Sequence, residues 1–301
     1  MTPKILNIEN IFVINLKNKM YKFVNTLKFL QQLNLSQFVT RFEAYDKHYA
    51  KKHKFELIDP KVDENIKNIK NTGIIPTWGA VGCAISHIEL WKIISKKNNN
   101  SLTLVLEDDN MIYDSDKFLY NLNRAIHIHT RDLEYSDSPF FITFDSTCSI
   151  TSKSFNLPFH NIHSDLRGTS CYLINSFCAK FFLRNVYPLY FQIDIKMGQL
   201  LTKLNTTYGS TGICLLINDS GIKQDKIHSS DVQYPFLKIK DLKLIFKYLN
   251  FPLKIIEKIY YYLPKEVDFY NNYNDIYSYN SSENNYNYNY NFSSIIVPHN
   301  Y

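Results

Sequence analysis

Residues 102–109 read LTLVLEDD, five mostly apolar residues followed by three consecutive carboxylates. A run that short and that apolar reads as a core strand. Parallel α/β sheets bind ligands at the carboxyl ends of their strands, so Glu107, Asp108 and Asp109 stand where ligands go. Adjacent carboxylates repel one another and raise each other's pKa. A hard divalent cation such as Mg²⁺ or Mn²⁺ relieves that repulsion and keeps positions open for substrate phosphates. The same letters also describe a plain turn, with Asp114 or Ser115 capping the next helix. Taken alone, the stretch leaves both readings open.

Its neighbours predict an alternating α/β chain. IFVINL (11–16) reads as a buried strand. Met20, Phe23, Val24, Leu27, Leu30 and Leu33 then recur at helical spacing, with Lys17, Lys19, Lys22 and Lys28 left for the solvent side. FVTRFEAYD (38–46) predicts a second strand, and residues 47–75 a charged surface segment with some helix. TWGAVGCAISHIELWKIISKK (77–97) is apolar on almost every side and predicts a buried helix. FFITF (140–144) and SCYLIN (170–175) add strands, and SFCAKFFLRNVY (176–187) a helix that stops at Pro188. Residues 241–263 read as helical but interrupted by Pro252, either a hairpin packed on the domain or a basic amphipathic helix in weak contact with a membrane surface. Residues 270–292 form an Asn/Tyr low-complexity tract with the composition of a disordered segment. The expected organisation is a domain over 1–238, a helical extension over 239–265 and a tail over 266–301.

Composition excludes several function classes. The 301 residues are 45% hydrophobic and 21% charged, ordinary for a soluble globular protein. Eight glycines, with no GxGxxG or GxxxxGK[ST], argue against a glycine-rich phosphate cradle. The net charge of +6 comes from scattered lysines, which suits an anionic small molecule and not a nucleic-acid footprint. Five cysteines, an odd number without a CxxC, fit a reducing compartment. MTPKILNIEN lacks an apolar signal core, and no run reaches the roughly 18 apolar residues of a membrane span, so a cytoplasmic location is expected. The excess of Asn, Lys, Ile and Tyr reads as nucleotide-composition background.

The helix before LTLVLEDD carries its own signals. NTGIIPTWG (71–79) contains two glycines and a proline, which lets backbone approach a ligand. The helix start that follows offers unpaired N–H groups to a pyrophosphate. Cys83, His87 and Trp91 recur every fourth residue on one face. Cys and His at that spacing can bind Zn²⁺, but with no second pair nearby a packed helix with a hydrogen-bonded histidine is the better reading.

These segments together resemble glycosyltransferase family 25, the group that includes bacterial lipopolysaccharide sugar transferases and collagen galactosyltransferases. VINL, RFEAYD, GAVGCAISHIELWKII, LVLEDD, GTSCYLIN (168–175), QIDIKMGQLL (192–201) and KQDKIHSSDVQ (223–233) follow the family's order over about residues 9–235. The chain departs from the pattern in three places. Lysine replaces the arginine-containing segment after Asn15-Leu16, Gly79-Ala80 replaces a Gly-Glu pair, and Asp46-Lys47 replaces Asp-Gly.

The resemblance implies a GT-A-type nucleotide-sugar-binding fold with a mixed, mostly parallel central sheet, and metal-assisted, inverting transfer of galactose or glucose from a UDP-sugar to an acceptor hydroxyl. Mn²⁺, or Mg²⁺, would bridge the UDP diphosphate. Asp109 is then the main metal ligand, Glu107 or Asp108 contacts ribose or metal-bound water, and Glu107 and His228 are further metal candidates. Asp194 is the candidate general base, or else a helix cap, and Asp145 lines the acceptor cleft. Asn15, Gly79, Gly82 and His87 complete the expected donor site. The acceptor is a glycan or a collagen-like protein. A non-catalytic glycan- or partner-binding protein on a degenerate version of the fold is the alternative. A metal-dependent nuclease lacks the basic stripe it would need.

Overall fold

Alternating strands and helices run through the computed structural model, which describes residues 8–53, 58–68, 74–98, 101–131, 138–144, 159–161, 166, 168–208, 213–217 and 219–224. The chain begins with β1 (Ile8–Leu16), α1 (Met20–Gln32) and β2 (Val39–Ala44). Two short helices, α2 (Lys47–Lys52) and α3 (Pro60–Asn68), lead to the long α4 (Trp78–Ser95). The strand quoted above is β3 (Leu102–Glu107), followed by β4 (Asn110–Ile112) and α5 (Ser115–Arg131). Then come β5 (Phe140–Thr143), β6 (Phe159–Asn161), β7 (Cys171–Asn175), α6 (Ser176–Asn185), α7 (Ile193–Tyr208), β8 (Ile213–Ile217) and β9 (Ile222–Gln224).

Among the described residues, seven strands form one sheet in the order β2-β1-β3-β7-β5-β8-β6, and β4 pairs with β9 in a small second one. β1 runs parallel to both β2 and β3, and β5 parallel to β8. β7 runs against β3 and β5, and β6 against β8, so five strands share one direction. This is the mixed, mostly parallel α/β sheet expected.

Strand alternation sorts the core into two layers. Ile11, Val13, Leu104, Leu106, Ile142 and Leu173 cluster with Leu30 of α1 and with Phe118 and Leu122 of α5. Phe12, Ile14, Val105, Phe141 and Ile174 cluster with Ile88 and Trp91 of α4 and with Phe182 of α6. Helices cover both faces, as a buried, nearly all-apolar strand such as β3 requires.

The inward face of α1 differs from the one its apolar spacing predicts. Lys22, Thr26 and Leu30 are buried, whereas Met20 and Val24 are 47% and 40% exposed. Lys22 therefore leaves the solvent side assigned to it. A buried ammonium is tolerated where opposite charge compensates its desolvation, and the acids at the tip of β3 supply that charge. Residues 239–265, with the membrane-contact stretch 241–263 inside them, and the tail 266–301 lie outside the described residues.

Candidate active site

The site grows from the connectivity of β1. The chain leaves β1 through α1, which packs on one face of the sheet, and reaches β3 through α4, which packs on the other. The carboxyl ends of β1 and β3 lie side by side, with Ile14 paired to Glu107, and open at this divergence. Such a crevice is where doubly wound sheets hold ligands.

Alternation aims Glu107 to the same face as Val105, under α4. There its Oε1 meets His87 Nε2 at 3.3 Å and accepts the Thr169 hydroxyl. The other ring nitrogen of His87 lies 2.9 Å from the Tyr172 hydroxyl, which also accepts the Trp91 indole N–H at 3.1 Å. Burial by itself would push the Glu107 carboxyl up. The hydrogen bond from His87, the Thr169 hydroxyl and the charge of Lys22 outweigh it, so its pKa falls below the ordinary glutamate value.

Asp108 and Asp109 form the turn into β4 and belong to the other side, next to α1. Asn110 pins the turn, its amide donating to the carbonyls of Glu107 and Ser170. Asp108 accepts the Asn15 amide through Oδ2, and its carbonyl accepts Thr26 Oγ1. Asn15 in turn accepts Arg41 Nε at 2.8 Å. Gln224 on β9 donates to Asp109 Oδ2 at 2.9 Å. Asp109 Oδ1 is buried and has no hydrogen-bond partner among the described residues. A pocket of about 290 Å³ opens here, lined by Lys22, Lys28 and Phe29 of α1 together with Asp108, Asp109 and Met111. Burial, then the charge of Glu107, raise the Asp109 pKa to about 7; Gln224 and Lys22 lower it only in part, and Asp108 adds to the rise.

The other expected site residues have varied fates. Asp194 lies in the first turn of α7, accepting its neighbour's N–H at Ile195 and the N–H of Gly168 at 3.2 Å. Its charge also reaches Cys83, whose thiol is pushed well up by burial and then by Glu107, Asp194 and Asp109. Gly79 sits in the first turn of α4, where the Thr77 hydroxyl caps the N–H of Ala80. Gly82 faces the Tyr45 carbonyl so closely that a Cβ would stand 2.4 Å from that oxygen. It lets α4 approach the β2–α2 turn, where Ser86 Oγ accepts the Tyr45 N–H. Asp145 and His228 lie outside the described residues. Asp114 caps α5 through the N–H of Lys117, so the capping part of the turn reading holds beside the acid cluster.

Sequence reasoning passed over Lys22, Arg41, Thr169, Tyr172 and Gln224. They come from four separate segments, Thr169 and Tyr172 sharing one, so no local spacing announces them. Arg41 carried the nearest signal, within RFEAYD on the strand paired to β1.

Among the described residues, two places could hold a cation. Cys83, His87 and Glu107 bring ligand atoms within 4.8 Å of one another. That group fits a metal poorly, because burial holds the thiol protonated and both His87 nitrogens already have partners. The Asp109 side fits better. Its orphaned Oδ1 and raised pKa are those of a carboxylate short of positive charge, and its donor set is oxygen.

Residues 8–197, more than half of the chain, match the model of glycosyltransferase family 25, described as a lipopolysaccharide biosynthesis protein. The chain belongs to that family, and a glycosyltransferase role with a nucleotide-sugar donor and a glycan acceptor follows. The match covers β1 through the start of α7 and leaves the KQDKIHSSDVQ block outside it. No curated protein matches the chain significantly. No helix among the described residues is long and apolar enough to cross a membrane.

Proposed function

We propose that the chain transfers a hexose, galactose or glucose, from a UDP-sugar to an acceptor hydroxyl with inversion, on a GT-A-type fold and with Mn²⁺ or Mg²⁺ at the Asp109 side of the β3 tip. The observation that carries this reading is Asp109, whose buried Oδ1 has no partner among the described residues and which lines a pocket together with Lys22 and Lys28. Carboxylate beside ammonium is the pairing that a metal-bound diphosphate needs: the acid for the cation, the lysines for phosphate oxygens. When bound, the divalent ion supplies charge neutralisation for the departing diphosphate.

The chain's own residues do the rest. Asp109 is the metal ligand and must give up its proton to act as one. Asp108, held by Asn15, which Arg41 holds in turn, is oriented for a ribose hydroxyl or a metal-bound water. Lys22 and Lys28 add positive charge where negative charge develops as the sugar–phosphate bond breaks. Asp194 is the general base that takes the acceptor's proton, with the Gly168 N–H fixing Oδ2. The acceptor belongs to a cell-surface glycan, with lipopolysaccharide core sugar first among the candidates given the family's description. We place the catalytic unit within residues 1–238 and the protein in the cytoplasm.

Incubation of purified protein with each common UDP-sugar, with Mn²⁺ or with EDTA, tests this directly. Metal-dependent release of UDP supports it. A folded protein that neither hydrolyses nor binds any UDP-sugar is instead a binding protein on a degenerate fold.

A further inference from the structure

The α4 motif Cys83-x₃-His87-x₃-Trp91 is explained neither by a metal nor by packing alone. Its His87 and Trp91 both reach Tyr172 on β7, and His87 alone goes on to Glu107. His87 and Trp91 are fully buried and Tyr172 nearly so, which leaves no water to satisfy a stray donor.

Proton counting then decides the direction of every bond. The Trp91 indole nitrogen is only a donor, so the Tyr172 oxygen accepts from it. The Tyr172 hydrogen needs an acceptor, and His87 Nδ1 at 2.9 Å provides one. With Nδ1 accepting, the ring proton sits on Nε2, which faces Glu107 Oε1. The opposite tautomer would strand the Tyr172 hydrogen and set a nitrogen lone pair against a carboxylate oxygen, leaving buried polar groups unpaired.

We propose that His87 is a positioning residue: the chain Trp91–Tyr172–His87 fixes its Nε2–H tautomer, and that N–H with the Thr169 hydroxyl clamps Glu107 Oε1, so that Oε2 is presented to the ligand. Among the described residues Oε2 accepts no hydrogen bond. Glu107 thus acts from a preset rotamer, and Tyr172, remote from any substrate, sets its aim. Groups standing behind a ligand-binding side chain in this way typically change affinity about 10–100-fold when removed.

Two measurements test this, and only the second rests on the nucleotide-sugar reading. Long-range ¹H–¹⁵N spectra of histidine-labelled protein report each ring's tautomer, and loss of one signal set in His87→Gln assigns His87 among the nine histidines. An Nε2–H signature is expected in the wild type, with its Nδ1 resonance displaced in Tyr172→Phe as that nitrogen loses its hydrogen-bond donor; an Nδ1–H signature in the wild type overturns the proposal. Titration of UDP in the presence of Mn²⁺ then compares His87→Leu with His87→Gln, whose amide N–H can reach Oε1. We expect about tenfold weaker binding for His87→Leu and recovery to within about threefold for His87→Gln. Equal losses in two folded variants, or no loss in His87→Leu, overturn it. A wild type that binds no UDP refutes the nucleotide-sugar reading, while the tautomer spectra still decide the positioning claim.

Discussion

Glu107 and Asp109 are two residues apart at one strand tip, yet they live in opposite electrostatic settings. Glu107 lies under α4, clamped at one oxygen by His87 and Thr169, and its pKa is lowered. Asp109 lies toward α1 with one oxygen held by Gln224 and the other without a partner among the described residues, and its pKa climbs to about 7. Burial acts on both and raises each. What separates them is the count of donors that the fold supplies to each. Glu107 has one oxygen satisfied twice over by protein donors, whereas Asp109 Oδ1 has no donor among the described residues.

The largest effect should come from removing the Asp109 carboxylate. Asp109→Asn should retain the fold and lose about 100-fold or more of metal-dependent UDP-sugar turnover, read by UDP release. Near-normal turnover would remove Asp109 from the metal site.

The α4 side breaks at its closest approach. Gly82→Ala must push α4 away from the Tyr45 carbonyl, and we expect about 2–4 kcal/mol of destabilisation in denaturant titrations. Wild-type stability would show that the helix shifts freely.

pH separates the two acids by sign. The folded-state pKa of Asp109 exceeds its unfolded value, so metal-free protein loses stability from this group as pH rises from about 4 to about 7. At pH 8 without metal, Asp109→Asn should therefore be the more stable protein by about 1–3 kcal/mol. Glu107 is depressed, so its contribution is present above the ordinary glutamate range and is lost as pH falls through its folded pKa. Glu107→Gln should accordingly destabilise at neutral pH and matter less in acid. Thermal melts across pH check both slopes, and slopes of one sign would refute the contrast.

The smallest effect concerns Asp108, which is held at second hand. Arg41→Met removes the guanidinium behind Asn15 and should weaken Mn²⁺-dependent UDP binding about three- to tenfold, measured by calorimetry.

LTLVLEDD and IFVINL were legible because a buried parallel strand must be apolar on both faces, and α4 because a helix buried over most of its surface must be apolar over most of it. The acids were legible because ligands gather at strand ends. Lys22 was misread for a reason of the same kind: periodicity registers only apolar burial, and this lysine is buried by charge. Thr169 and Gln224 left no pattern of their own, since each reaches the acids from a different strand or loop.

By itself, then, the sequence determined the layers, the strand that ends in three acids and the family those blocks resemble. Only the tertiary structure decided that the acids are not equivalent. Hydrogen-bond donors arrive from distant segments, and a carboxylate's character depends on how many of them reach it.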